Sequence, residues 1–274
     1  MATTFLSKTL GTPTDNNKWT FSCWFKRTGF ESQTLIYSND GSTSNVTEVA
    51  ISDAAKMVFQ NKVGGSTTMN LTTNRLFRDV SAFYHVVAVF DSSNSTEADR
   101  QIIYINGVRE TSFATNNPAS LNEVSTINSG NVAKIGKGNT SEYFNGLMTH
   151  VHFIDGTAYP ASTFGEVDST SGIWTAKTTP SVTYGNNGFF LKMENASAMG
   201  TDSSGNSNTF TVSGSLTKNQ DTPANNFCTM NPLDNYFAAG TFSNGNNTVI
   251  TSNGNYARNS STIGMATGKW YSEY

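Results

Sequence analysis

The chain has 274 residues, a formal net charge of −3, 36% hydrophobic residues and only 14% charged ones. That length suits one large all-β domain, or one domain plus a smaller unit. It carries no basic block to follow a phosphate backbone, which argues against a nucleic-acid partner, and no run near the roughly 20 apolar residues that span a bilayer.

Met1–Lys8 lacks the apolar centre of a secretory signal. The expectation is a chain made in a cytoplasm and kept soluble, with any extracellular role reached by another route. Helical periodicity is hard to find. Apolar runs are short, β-branched and aromatic, bounded by Gly, Asn, Asp and Ser. Trp19 to Phe25 alternates, with Trp19, Phe21, Cys23 and Phe25 on one face and Thr20, Ser22 and Trp24 on the other. Strands are predicted at Thr34–Tyr37, Glu48–Ile51, Lys56–Gln60 and Ala82–Phe90, the strongest apolar run. Gln101–Ile105 runs into Asn106-Gly107, a strong hairpin signal, with Val108–Phe113 as the return strand. Val132–Ile135 and Leu147–Ile154 complete this body. Strands at this spacing predict a two-sheet antiparallel sandwich, with Trp19, Phe21, Phe25, Val87, Val89, Ile103 and Ile105 buried.

Gly156 to Gly188 is turn-rich. Phe189–Met193 and Asn208–Val212 are further strand candidates, and Leu216–Asn226, polar and holding Pro223, reads as a linker. In Phe227–Tyr274 strand signals recur at Asn247–Thr251, Ser261–Met265 and Lys269–Tyr274. That is too little chain for a core of its own. Cys23 and Cys228 are the two cysteines, and both read as free, buried thiols.

Trp19-Thr20-Phe21-Ser22-Cys23-Trp24-Phe25-Lys26-Arg27, Phe83-Tyr84-His85-Val86-Val87-Ala88-Val89-Phe90-Asp91, Ile103-Tyr104-Ile105-Asn106-Gly107-Val108 and Phe144-Asn145-Gly146-Leu147-Met148 together resemble the conserved strands of laminin G-like domains. Their order and spacing hold over roughly residues 1–155. The resemblance implies an all-β, concanavalin A-like jelly-roll sandwich, which with its extension would occupy 1–215. His152-Phe153-Ile154-Asp155-Gly156, Gly172-Ile173-Trp174, Tyr184-Gly185-Asn186-Asn187-Gly188-Phe189 and Gly200-Thr201-Asp202-Ser203-Ser204-Gly205-Asn206 are similar to segments of structural proteins of marine bacteriophages. That similarity implies a virion protein of fibre, tail or capsid, a homo-oligomer with a trimer favoured, presenting a lectin-like sandwich to host surface glycans; the alternative is a purely architectural protein that binds only other virion proteins. Gly268-Lys269-Trp270-Tyr271-Ser272-Glu273-Tyr274 resembles the opening strand of a SPRY-like domain. On that reading 227–274 begins a second, incomplete β unit: either the chain continues, or the tail packs on something else.

Glycosidases on such sandwiches use facing carboxylates, and no strand shows acidic residues at alternating positions, since Glu97 and Asp99 lie in a polar loop. The expectation is a non-enzyme. His150 and His152 stand at i, i+2, and with His85 they form the one zinc set to weigh. His85 matches a family position filled for packing, and no Cys or acid stands at ligand spacing. Asp202, Asn206 and Asn208 place side-chain oxygens around Gly205 and are candidate calcium ligands. The same pattern closes an Asx turn, which is the favoured reading. Candidate binding residues are Phe30, Asp40, Tyr143 and Tyr159 in loops, with Tyr236 as a further loop aromatic. Trp19, Trp24, Phe59, Phe83, Tyr84 and Phe90 read as core. The loops Ser38–Asn45, Ser92–Asp99 and Asn116–Asn122 are expected to face outward.

Overall fold

The computed structural model describes residues 3–238, 240–251 and 257–271. In chain order the strands are β1 (Phe5–Thr9), β2 (Lys18–Arg27), β3 (Gln33–Asn39), β4 (Val46–Ile51), β5 (Lys56–Val63), β6 (Ser66–Leu76) and β7 (Tyr84–Asp91). There follow β8 (Gln101–Ile105), β9 (Val108–Arg109), β10 (Phe113–Asn117), β11 (Val132–Ile135), β12 (Gly146–Asp155), β13 (Gly165–Val167), β14 (Trp174–Ala176), β15 (Phe189–Leu191) and β16 (Thr211–Ser213). The tail adds β17 (Met230–Phe237), β18 (Thr241–Ser243), β19 (Thr248–Ile250) and β20 (Ala257–Ser261). Helix amounts to 2% and strand to 44%, against about 30–35% helix in an average globular domain. The fold is all-β.

Two antiparallel sheets face each other. The larger runs β10-β6-β5-β4-β3-β11-β1-β16 and the smaller β15-β12-β2-β7-β8-β9. Between them lie Trp19, Phe21, Cys23 and Phe25 from β2, Val49 and Ile51 from β4, Met57 and Phe59 from β5, and Val86, Ala88 and Phe90 from β7. Trp19 is the hub, with ring centroids 5.3 Å from Phe59, 5.5 Å from Phe90 and 5.8 Å from Phe153. Its indole N–H donates to Ser125 Oγ at 2.8 Å, so the largest core residue buries no unmet donor.

All seven residues expected to be buried are buried, but Val87 and Val89 lie on the outer side of the smaller sheet. They belong to a second core with Ile154, Ala161 and Phe164, joined by Tyr159, Trp174, Val182 and Tyr184. The turn-rich segment after Gly156 supplies most of it. The β13–β14 hairpin and its flanks form a third layer that roofs the smaller sheet, so β2 is covered on both faces. Asp155 fastens one edge of this roof. Its carboxylate accepts hydrogen bonds from the N–H groups of Thr14 (2.7 Å), Asp15 (3.3 Å) and Asn187 (3.0 Å) and from Asn128 Nδ2 (2.7 Å).

Several sequence expectations need correction. The return strand 108–113 is split: β9 ends at Arg109 and β10 pairs with β6 in the other sheet. Glu110 marks the crossing, its carboxylate on Arg75 Nε at 2.8 Å. Strands β1 and β6 were not expected. β6 is rich in Thr and Asn, and its alternation rests on Met69, Leu71 and Thr73 alone. Phe83 is half-buried rather than core, and Cys228 is exposed while Cys23 is buried; neither forms a disulfide. Leu216–Asn226 is not a free linker, because Asp221 is buried against β2. In the tail β17 pairs with β20, and β18 with β19. The strand expected at Ser261–Met265 goes no further than Ser261, and 269–271 is not strand; 272–274 lie outside the described residues.

Candidate functional site

The outer face of the larger sheet carries no third layer of strands, though loops cover part of it and leave Tyr37 0% and Val46 5% exposed. Register places Lys134 of β11 opposite Tyr37 of β3, Tyr37 opposite Glu48 of β4, Glu48 opposite Gln60 of β5, Gln60 opposite Asn70 of β6, and Asn70 opposite Asn117 of β10. One polar row therefore crosses the sheet at right angles to its strands, which stand about 4.8 Å apart. Alternation explains it. Inward residues of these strands, Val49, Phe59 and Leu71, fill the core, so their neighbours Glu48, Gln60 and Asn70 must face out.

A groove of about 280 Å³ lies over the Tyr37–Glu48–Gln60 part of the row. Thr34, Tyr37, Glu48, Gln60 and Lys62 line it from the sheet, and Asn139 and Glu142 from the loop after β11. Gln60 Nε2 donates to Glu48 Oε1. Among the described residues no donor reaches Glu48 Oε2. Tyr37 OH donates to Asn139 Oδ1 at 3.3 Å, and Lys134 Nζ sits 5.2 Å from the Tyr37 ring centroid.

Burial pushes the Glu48 carboxyl above its ordinary value, against the opposing effects of Gln60 and Lys62; nearby Glu142 adds to the rise. Burial also acts to raise Glu142, but hydrogen bonds from Thr140 and neighbouring backbone outweigh it and hold that carboxyl low. Tyr37 is pushed up to about 12, first by burial and then by Glu48. The groove thus presents acceptors and donors side by side: carboxylate, primary amide, phenol and ammonium. That set suits a ligand made of hydroxyl groups, each at once donor and acceptor.

The residues singled out from sequence do not meet here. Phe30 packs 5.2 Å from the Arg27 guanidinium, itself buried and bonded to Gln33, Phe77 and Glu31. Burial lowers the Arg27 pKa to about 10, with Glu31 opposing. Asp40 closes a turn through Ser42 N and Asn45 Nδ2. Tyr143 follows Glu142 in the chain but packs on Phe5 and beneath Lys137 Nζ, 4.9 Å from its ring centroid. Tyr159 belongs to the roof, and Tyr236 lies in β17 against Phe237. Asp202 accepts from Phe190 N, Ser204 N and Asn208 N, while Asn206 and Asn208 turn their amide N–H groups to the carbonyls of Gly185, Gly188 and Asn186. These three residues form a turn network, with the amides donating rather than offering oxygens to an ion.

The histidines sit on the roofed face. His85 is fully buried, with Trp174 Nε1 donating to Nδ1 at 2.9 Å and Ser22 Oγ 2.8 Å from Nε2. Nδ1 accepts, so the proton is on Nε2. Burial lowers the His85 pKa to about 3, with His150 adding to the effect. His152 lies flat on Phe190 at 3.9 Å and bonds Tyr184 OH through Nδ1 at 3.0 Å. His150 has φ +48 at a bulge in β12, so the i, i+2 alternation fails there. Among the described residues no group of three His, Cys, Asp or Glu side chains is arranged to hold a metal.

The family model described as the concanavalin A-like lectin/glucanases superfamily matches residues 5–162. The chain belongs to that superfamily. The match covers β1 to β12; β15 and β16, an edge strand of each sheet, lie beyond it. No curated protein sequence matches the chain significantly. Solved structures similar to it include a heptameric SAP-like pentraxin from Limulus polyphemus, with 14% identity, 64% of this chain and 86% of that chain covered, and a TM-score of 0.43. The CBM40 of a Ruminococcus gnavus sialidase gives 13%, 54%, 80% and 0.38. Domains LG4-5 of mouse laminin α1 give 10%, 69%, 44% and 0.38.

What sequence reading missed is the row itself. Glu48 stands between Thr47 and Val49, and Gln60 between Phe59 and Asn61. The signal was there as alternation, but only pairing register brings the two side by side.

Proposed function

We propose that the protein is a non-catalytic glycan-binding module whose ligand lies along the Tyr37–Glu48–Gln60 row. The observation that carries this reading is the polar row with a groove over its half-buried Glu48 and Gln60, on a sheet whose other face is the core. Membership of a lectin and glucanase superfamily supports it. The similarity of the segments after Asp155 to marine bacteriophage structural proteins supports placing the module on a virion surface, as fibre, tail or capsid decoration. There it would sit among other virion proteins as a homotrimer and meet host glycans. Among the described residues no helix is long and apolar enough to cross a membrane.

The test is a glycan array followed by calorimetry on the best ligand. Glu48→Ala with Gln60→Ala is expected to weaken binding at least about tenfold, the loss of about 1.4 kcal/mol. A double variant with unchanged affinity, or no glycan bound by the unaltered chain, overturns the reading.

A second reading rests on one observation. Glu48 and Glu142 face the same groove with their carboxyls pushed in opposite directions, as in acid–base pairs. Against it, both Glu142 oxygens already accept bonds from Thr140, at 2.9 and 3.2 Å. Release of reducing ends from a bound glycan, abolished by Glu48→Gln, would decide for hydrolysis.

A further inference from the structure

Lys26 lies on the outer side of β2 beyond the roof, with a side chain 0% exposed. A fully buried ammonium is costly unless it is paired and hydrogen-bonded. Its partners come from the segment after β16. Asp221 Oδ2 is 2.8 Å from Lys26 Nζ, on a side chain only 2% exposed, and Asn226 Oδ1 is 2.7 Å away. The other oxygen of Asp221 accepts from Phe227 N at 2.7 Å. The Asn226 amide is oriented at both ends: its oxygen faces Lys26, and its nitrogen donates to Ser81 O.

This arrangement does more than hold an ion pair. It sets an amine, a primary carboxamide and a carboxylate in contact, with the amine out of water. A carboxylate within hydrogen-bond reach can take a proton from the ammonium and leave a nucleophilic amine. Holding the amine against the amide replaces a bimolecular encounter by an intramolecular one, worth many powers of ten in rate.

We propose that Lys26 and Asn226 join in an intramolecular isopeptide bond, with Asp221 as the proton carrier. Asp221 accepts a proton from Lys26 Nζ, and the neutral amine attacks Asn226 Cγ. The Nζ–Cγ bond forms, the Cγ–Nδ2 bond breaks, and Nδ2 leaves as ammonia after taking the second Nζ proton. The proton held by Asp221 then passes to that ammonia, so ammonium departs and Asp221 is again a carboxylate. No oxidant or co-reactant is needed. The product is a covalent staple from the centre of the smaller sheet to the start of the tail, closing a loop between positions 26 and 226. It ties down the segment that leads into β17, where packing against the sandwich is thin.

Intact-mass spectrometry of the purified full chain tests this. The expected mass falls short of the sequence mass by one ammonia. Proteolysis should yield a branched peptide joining the Lys26 and Asn226 segments. Asn226→Ala keeps the Lys26–Asp221 pair and removes the electrophile. It should show no deficit, give only linear peptides, and unfold at a lower temperature than the unaltered chain. Asp221→Asn should also lose the branch, with its folding checked by near-ultraviolet circular dichroism. The proposal is overturned by a full sequence mass with Lys26 and Asn226 in separate linear peptides. It is equally overturned by a branch that survives in Asn226→Ala, or by a deficit of one water with the branch at Asp221.

Discussion

The two outer faces of this sandwich have opposite fates. The smaller sheet is roofed: Val87, Val89 and Ile154 meet Phe164, Tyr159 and Trp174, and His85 and His152 go under with them. The larger sheet carries no such layer and sets Tyr37, Glu48, Gln60 and Asn70 in one row, Tyr37 buried and the other three half-buried. Both faces descend from the same alternation of inward apolar residues. What separates them is the middle of the row: Glu48 and Gln60 stand among Tyr37, Val46, Ala50 and Val58 on the larger sheet, while Val87, Val89 and Ile154 fill the roofed face. A face that stays open can hold polar groups at almost no cost, whereas on a covered face each unmet one is costly, as at the buried, unpartnered Trp24 Nε1.

The sharpest way to break the comparison is to cut the roof's fastening. Asp155→Ala removes the acceptor for Thr14 N, Asp15 N, Asn187 N and Asn128 Nδ2. Leaving such donors buried and unmet costs about 1–3 kcal/mol each, partly recovered by water at the edge. The expected loss is about 4 kcal/mol, measured by urea unfolding. A loss below about 1 kcal/mol would show that the roof does not depend on this carboxylate.

Next is Trp174→Ala. The indole covers His85 and lies over Gly107 and Gly165, where even a Cβ would approach it to 2.6 and 2.5 Å. Buried aromatic truncations cost about 3–5 kcal/mol, and Trp174 is only half-buried, so about 2–3 kcal/mol is expected. His85 also loses its Nδ1 donor, and its ring should then titrate closer to the ordinary histidine range by NMR.

The roofed face further predicts acid sensitivity. His85 has a folded pKa of about 3, below an unfolded value of about 6.5, and His152 is lowered in the same sense by burial. A depressed folded value means the unfolded chain binds the proton first. The stability linked to His85 is therefore complete above about pH 6.5 and is lost as pH falls from there toward 3. Between pH 7 and 5 that amounts to about 2 kcal/mol for His85. The urea midpoint should drop over this interval, and His85→Gln should flatten the dependence. A midpoint constant from pH 7 to 5 would contradict burial of the neutral ring.

How much of this was legible depends on which residue one asks about. Trp19 to Phe25, Tyr84 to Asp91 and Asn106-Gly107 announce strands and a hairpin, because alternation and turn chemistry are local. Asn106 and Gly107 do take positive φ, 48 and 82. The roof was not legible. Trp174, Tyr159 and Val182 are scattered among turns, and what buries them is Val87 and Val89, far away in sequence. The outward residues of β2 gave the one hint: Thr20, Ser22 and Trp24 are poor candidates for open solvent as a set. β6 was hidden by its Thr and Asn content. The polar row was hidden more deeply, since Glu48 and Gln60 become a pair only through the β4–β5 register. Lys26 and Asp221 are nearly two hundred positions apart, joined by a segment whose polarity reads as a linker.

The smallest effect on stability belongs to the open face, and it is the one that tells most about function. Glu48→Gln keeps shape and hydrogen-bonding length while removing the charge. Burial raises the Glu48 pKa, so the folded state disfavours its charged form, and replacing it with an amide relieves that penalty. The Gln60 bond is retained if the new amide turns its oxygen to Gln60 Nε2. Nothing in the core moves, because Val49 and Phe59 face the other way. The change in unfolding free energy should stay within about 0.5 kcal/mol, as for surface substitutions in general. Glycan affinity should nevertheless fall, because a hydroxyl donor that met a carboxylate would meet a neutral acceptor instead, and charge-assisted hydrogen bonds are roughly twice as strong as neutral ones. Calorimetry and urea unfolding on the same preparation would separate the two quantities. Unchanged stability with weakened binding is what an open, ligand-facing row requires. A large loss of stability would instead make Glu48 part of the scaffold, and the two faces would differ less than their burial indicates.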